Sequence, residues 1–481
     1  AGVISLGRAT FDVELGAGRA TAARTVLDAI GVTSIGEHDL VTDPDDAAQT
    51  VDALVGEKLD VVVVLQATFT DATTVISIAE ASAVPIVVWS FPEERVGGRL
   101  RLNSLCGANL AAYSLRRRRH PSAFVHIDPG STDAGRRVEA AIDGATGGLG
   151  AVAGSDLDAG ASVRDIPLPG AGPLDLHSVR TAERIGERLR RSTVGVIGAP
   201  PAGFEPCRGD DAQIAAALGV RVERRALGEL FHDAAAARDE CVEGTVHRIT
   251  STLTLDPQVS EADIEPSARL YCAMRHFVDD DALAAVATRC WPECMADFGG
   301  AVCTPHAMLT EDQVPGVCEA DVLGAVTALV LRLVAGSDPF IADLVDVDER
   351  DDTSVLWHCG VASTRLADPH DRAVGTVHPN RKVALVNQVA LRPGRVTVAR
   401  VSQCGGDHHL VVAGGEMLER PRPYTGTCGT IRWDRPVRDV AATIFERGVE
   451  HHLGVVYGDH LDVLVELARQ WRIPVVRLGE D

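Results

Sequence analysis

Lysine is almost missing from this chain of 481 residues: Lys58 and Lys382 are the only two, so arginine carries nearly all of the positive charge. Positive charge is itself short, with 46 basic residues against 68 acidic ones and a net charge of -22. Such a surface repels a phosphate backbone, which excludes nucleic acid as the principal partner. No apolar run approaches the ~20 residues that cross a bilayer, and Ala1-Gly2-Val3 opens straight into a strand pattern without a signal peptide, so no membrane partner is expected. The eleven cysteines are odd in number and scattered, unlike a dense disulfide framework, which points to a reducing cytoplasm. A solenoid repeat and a low-complexity tail are also lacking.

What remains is an ordinary globular composition, 46% hydrophobic and 24% charged. The length predicts roughly three domains. Short β-branched runs alternate with helical stretches through the first part: Val3 to Leu6, a helix near Arg19 to Ile30, Asp60 to Leu65, Pro85 to Trp89 and Phe124 to Ile127. Val61 to Val64 is apolar without alternation, as in a parallel strand covered on both faces. From Gly144 to Pro173 the chain becomes rich in Gly, Ala and Asp, a domain connection. A second α/β unit starts with a charged helix, Ser178 to Arg191, and the strand Thr193 to Gly198. It ends with the helix Val322 to Val334, apolar nearly all round and therefore buried. Beyond Asp352, Val355 to His358, Val383 to Leu391, Val396 to Val401 and His409 to Ala413 predict an antiparallel region with one late helix, Leu461 to Trp471. The expected domains are 1–174, 175–352 and 353–481: two Rossmann-like parallel α/β domains followed by a β-rich, largely antiparallel one.

Four segments place acids or histidines where an apolar strand gives way to a turn, the usual position of sites in α/β sheets. In Val317-Cys318-Glu319-Ala320-Asp321, Glu319 stands near a helix N-terminus that favours an ionised carboxylate; a helix-capping acid is an equal alternative. Asp343 closes the strand Phe340-Ile341-Ala342, while the acids from Asp346 to Asp352 read as a solvated loop. His358 ends Val355-Leu356-Trp357, where a satisfied core histidine competes with a ligand. Glu450-His451-His452 precedes the strand Leu453 to Tyr457. Adjacent strand residues face opposite sides, so one strand should hardly offer both imidazoles to one ion. Two carboxylates and one or two imidazoles suit Mn(II) or a similar divalent ion rather than structural zinc. Elsewhere, Gly198 to Gly203 lacks the spacing of a dinucleotide fingerprint, which excludes a nicotinamide cofactor. Cys290-Trp291-Pro292-Glu293-Cys294 has the wrong spacing for a redox pair and reads as structural.

Taken in order, Cys318-Glu319-Ala320-Asp321, Ala342-Asp343-Leu344-Val345-Asp346, Leu356-Trp357-His358-Cys359-Gly360 and Glu450-His451-His452 through Gly458-Asp459 resemble motifs of the L-fucose and L-arabinose isomerase family. The resemblance implies a homo-oligomer, trimer or hexamer, with active sites near subunit contacts. It implies Mn2+, with Co2+ or Mg2+ as substitutes, held by Glu319, Asp343 and His452, and by His358 as in the arabinose branch. It also implies Glu319 and Asp343 as the acid/base pair of an aldose-ketose isomerase that passes through a cis-enediol. Arg8, Arg99, Arg101, Asn103, Ser104 and Trp291 are the candidates for binding a free sugar. Two alternatives accompany this reading: an isomerase of a sulfonated hexose, sulfoquinovose to sulfofructose, with Arg99 or Arg101 pairing the sulfonate, and a non-catalytic sugar-binding relative.

Overall fold

The computed structural model describes residues 1–36, 39–147 and 176–480. Most of the connection expected between Gly144 and Pro173, with its boundary, lies outside these residues. The first sheet is wholly parallel. Its strands β1 (Gly2–Leu6), β2 (Leu40–Val41), β3 (Val62–Gln66), β4 (Ile86–Ser90) and β5 (Ser122–His126) stand in the order β2-β1-β3-β4-β5. Every residue of β1, β3 and β4 is buried, as unalternating apolar runs require.

A second parallel sheet is formed by β6 (Thr193–Ile197), β7 (Arg221–Arg225), β9 (Ala285–Thr288) and β10 (Gly316–Val317), in the order β10-β9-β6-β7. The short β8 (Thr254–Leu255) leaves this unit and joins the third sheet. That sheet also holds β11 (Phe340–Asp348), β12 (Thr353–His358), β13 (Val374–Val377), β14 (Ala384–Ala390), β15 (Gly394–Ser402), β16 (His409–Met417), β17 (Thr427–Trp433), β18 (His452–Tyr457) and β19 (Val475–Arg477). Antiparallel pairing runs β16-β15-β18-β11-β12-β17 and returns through β16–β17, closing these strands into a barrel-like ring that leaves no free edge among them. The expected architecture, two parallel α/β units and then a largely antiparallel one, is the one observed.

Three details differ from expectation. Strand β11 lies in the range given to the second domain, yet it pairs with β12 and β18 inside the third sheet. The C-terminal region carries a second helix, Val437–Arg447, ahead of Leu461–Trp471. Cys241 and Cys272 are joined by a disulfide across two packed helices, while the other nine cysteines are free.

The element that positions the site is the buried helix Val322–Ala335. Asp321 caps it by accepting from Gly324 N at 2.8 Å, and Gly336 ends it in the left-handed region at φ 66°. Its apolar surface packs on β9 from one sheet and on β15 and β18 from another. The turn before this helix is thereby held against the ring.

Candidate active site

Asp343 and His452 are directly opposite each other on the antiparallel strands β11 and β18. Glu319 arrives from the turn between β10 and the buried helix. There Glu319 and Ala320 adopt φ of 63° and 53°, two successive left-handed residues that are not glycine. Each costs roughly 1–2 kcal/mol relative to ordinary backbone, and the conformation persists because flanking elements are fully packed.

The three side chains converge. His452 Nε2 is 3.6 Å from Glu319 Oε2 and 3.8 Å from Asp343 Oδ1. Both His452 Nε2 and Asp343 Oδ1 are buried without a hydrogen-bond partner, a costly arrangement unless something else satisfies them. On the other side of the ring, His452 Nδ1 lies 2.8 Å from Asp321 Oδ2. A carboxylate can only accept there, so Nδ1 carries the proton and Nε2 turns its lone pair toward Glu319 and Asp343. Asp321 is anchored in turn by Arg400, whose Nη1 and Nη2 donate to it at 2.6 and 2.9 Å; both side chains are fully buried.

The remaining contacts set the charge of the centre. Trp291 Nε1 donates to Glu319 Oε1 at 3.1 Å, His451 Nε2 lies 2.9 Å from Glu319 Oε2, and Cys207 Sγ donates to the same oxygen at 3.8 Å. Burial alone would raise the Glu319 carboxyl, but the His451 hydrogen bond and the neighbouring imidazoles outweigh it and hold Glu319 down at about 2. Asp343 has no such hydrogen bonds, and burial pushes it up to about 7. Two carboxyls in one site are thus driven apart. For His452, burial is overcome by the Asp321 hydrogen bond and the surrounding carboxylates, which raise it. Burial lowers His451 to about 4 and His358 to about 3.

These donors fit a hard divalent cation. Glu319 Oε2, Asp343 Oδ1 and His452 Nε2 supply two oxygens and one nitrogen, and two of the three have nothing else to bind. Among the described residues, the grouping whose ligand atoms all lie within 4.8 Å of one another is Cys207, Glu319, His451 and His452, which leaves Asp343 outside it, linked through His452 alone. Burial, with the Asp321 and Glu319 carboxylates nearby, pushes the Cys207 thiol well up. The thiol directs its proton at Glu319, and its soft sulfur suits a hard divalent ion less well than the oxygen and imidazole donors do.

Of the residues singled out in the sequence, Glu319, Asp343, His452 and Trp291 come together here. His358 is close, its ring 5.4 Å from that of His452, and its Nδ1 accepts from Cys359 N at 2.8 Å. Arg8 stands over the Trp291 ring at 5.1 Å. Arg101 and Arg99 instead face Asp12, at 2.9 and 3.8 Å, and Ser104 Oγ is taken by Phe91 N and Gln66 O. Asn103 adopts φ 48° and donates its backbone N–H to Glu93. None of these four is hydrogen-bonded or ion-paired to Glu319, Asp343 or His452 among the described residues.

One expectation is corrected. His451 and His452 both reach Glu319, with ring centroids 4.0 Å apart, because His451 precedes β18 and escapes the alternation of strand side chains. Asp321, Arg400, His451 and Cys207 had no assigned role in the sequence reading. The one signal for Arg400 was an arginine inside the apolar run Val396 to Val401.

Comparison with known proteins identifies the family. Residues 2–141 match the family model described as fucose/sulfoquinovose isomerase, N-terminal domain. Across 467 residues, 97% of this chain and 96% of the relative, the sequence is 30% identical to the sulfoquinovose isomerase of Priestia aryabhattai. That of Alkalicoccus urumqiensis is 30% identical over 92% of this chain and 90% of its own. A third, from Clostridium sp. (strain MSTE9), is 28% identical over 84% and 83%. The chain belongs to the fucose/sulfoquinovose isomerase family of aldose-ketose isomerases.

Proposed function

We propose that the protein is a divalent-metal-dependent isomerase of sulfoquinovose, converting this sulfonated aldose to its ketose. The observation that supports the metal centre is the convergence of Glu319 Oε2, Asp343 Oδ1 and His452 Nε2, two of them buried and otherwise unpartnered. The sulfonated substrate, preferred here over a neutral fucose or arabinose, is supported by relatives named sulfoquinovose isomerase that align over nearly the whole chain.

Aldose and ketose differ by a proton moved between C2 and C1 and another moved between their oxygens, so the site must carry protons on both sides of an enediol. Asp343 Oδ2 moves the carbon-bound proton. Glu319 Oε1, held by the Trp291 N–H, carries the hydroxyl proton. His358, whose Nδ1 accepts from the backbone, keeps its own proton on Nε2 and donates to a substrate hydroxyl rather than serving as a ligand. A divalent ion such as Mn2+ held by Glu319, Asp343 and His452 supplies Lewis acidity, stabilising negative charge as it develops on the substrate oxygens.

The test is to strip the protein of metal, restore Mn2+, Co2+ or Mg2+, and measure ketose formation from sulfoquinovose, L-fucose and L-arabinose. Activity on sulfoquinovose that returns with the ion supports the proposal. Equal activity in the stripped protein refutes the metal centre, and turnover of the neutral sugars alone refutes the substrate.

A further inference from the structure

Beside the metal-ligand cluster, two arginines stand over one indole. Arg8 Cζ is 5.1 Å and Arg381 Cζ 4.5 Å from the Trp291 ring. Trp291 is the residue whose Nε1 donates to Glu319, so one indole touches both guanidiniums and the reacting end of the site.

The two arginines differ in their partners. Arg8 Nη2 donates to Asp71 at 2.5 Å, but its Nη1 is buried with no hydrogen-bond partner. Arg381 makes no ion pair with a carboxylate among the described residues, and the next residue is Lys382, one of the two lysines of the chain. The two guanidiniums share a wall built from Phe69, Phe204 and Trp291, where Asp71 pairs with Arg8, Glu319 acts on it from the far side of the site, and Arg381 has no carboxylate partner among the described residues. The ring faces hold the guanidiniums in place, and the unpartnered Arg8 Nη1 leaves a donor for an anion. A guanidinium presents several fixed N–H donors, which suits a tetrahedral oxyanion.

We propose that Arg8 and Arg381, gathered on Trp291, form the subsite that receives the sulfonate of the substrate, with Arg381 the residue that selects a sulfonated sugar over a neutral one. This rests on the sulfoquinovose reading above. Arg99 and Arg101, the arginines first considered for that role, are instead engaged with Asp12.

The test is steady-state kinetics of the Mn2+-loaded enzyme on sulfoquinovose and on 6-deoxyglucose, the same chain with hydrogen in place of sulfonate. For wild type the ratio of the two kcat/KM values favours sulfoquinovose. In Arg381→Met the ratio falls by about 30- to 100-fold, the scale of a lost charged hydrogen bond, mainly through KM; Arg381→Lys restores part of it. Arg8→Met serves as a second variant with the same expected direction. If wild type prefers sulfoquinovose and neither Met variant changes the ratio, the subsite is overturned while the substrate reading stands. A wild-type enzyme that turns over 6-deoxyglucose and not sulfoquinovose overturns the substrate reading, and the subsite with it.

Discussion

Asp321→Asn is the substitution that separates what holds this site from what fills it. Asp321 accepts from Gly324 N through Oδ1, receives both Arg400 nitrogens, and takes the His452 Nδ1 proton on Oδ2. Burial works to raise its carboxyl, but Arg400 and His452 keep it well below the usual range, so it is fully charged at neutral pH. An amide keeps one acceptor and turns the other oxygen into a donor. Either the helix cap or the contacts to Arg400 and His452 must fail, and the buried Arg400 charge is left with Glu450, 3.8 Å away, as its carboxylate, beside the Pro206 carbonyl. Breaking a buried pair in this way costs about 3–5 kcal/mol, a large part of the roughly 5–15 kcal/mol that holds a typical domain. Losing the partner that orients His452 lowers metal affinity by roughly 10- to 100-fold.

The two effects are separable in the double variant Asp321→Asn with Arg400→Met. Removing the stranded charge should recover much of the stability while Mn2+ affinity stays low. The assays are denaturant midpoints and isothermal titration with Mn2+. A single variant with unchanged metal affinity would refute the positioning role of Asp321, and a double variant that regains affinity would show that only stability had been lost.

Asp343→Asn should weaken Mn2+ binding by roughly 100-fold or more while Cys207→Ala changes it by less than about threefold, since a ligand matters more than its surroundings; the reverse order, read by titration, would give the site to the cysteine grouping. Acid should destabilise the fold through buried histidines. His306 and His378 are each lowered by burial to about 3. In the unfolded chain they titrate near 6.5, so the unfolded state takes up their protons first. Their contribution is intact above about pH 6.5 and is lost as pH falls toward 3, at about 1.4 kcal/mol per pH unit for each. Between pH 7.5 and 5.5 the midpoint should therefore fall less steeply in His378→Gln than in wild type, and equal slopes would contradict it.

The parallel sheets were legible because buried strands such as Val62–Gln66 are unbroken apolar runs whose meaning needs no distant partner. The sheet to which β11 belongs was not, since an apolar strand ending in Asp343 reads alike in either sheet, and only pairing with His452 more than a hundred residues on decides it. Closure of the ring through β16 and β17 is hidden for the same reason. Glu319, Asp343 and His452 stood out as polar residues beside apolar runs, although Asp343 lies inside β11 and not at its end. The capping role considered for Glu319 belongs to Asp321, whose hold on Arg400 and His452 depends on a fold that brings together residues 79 and 131 positions apart. The left-handed backbone at Glu319 and Ala320 has no signal in residue type, because both side chains ordinarily avoid that region. Arg381 falls in a turn whose proximity to Trp291 no local pattern reveals.

The most direct test of the account is a nuclear magnetic resonance measurement on sulfoquinovose incubated with the Mn2+-loaded protein in heavy water. A proton-transfer isomerase that uses Asp343 and Glu319 predicts resonances of the ketose, with deuterium entering at its C1 and, on return, at C2 of the aldose. No ketose from protein shown to hold its ion, or ketose formed without any solvent deuterium, would contradict it.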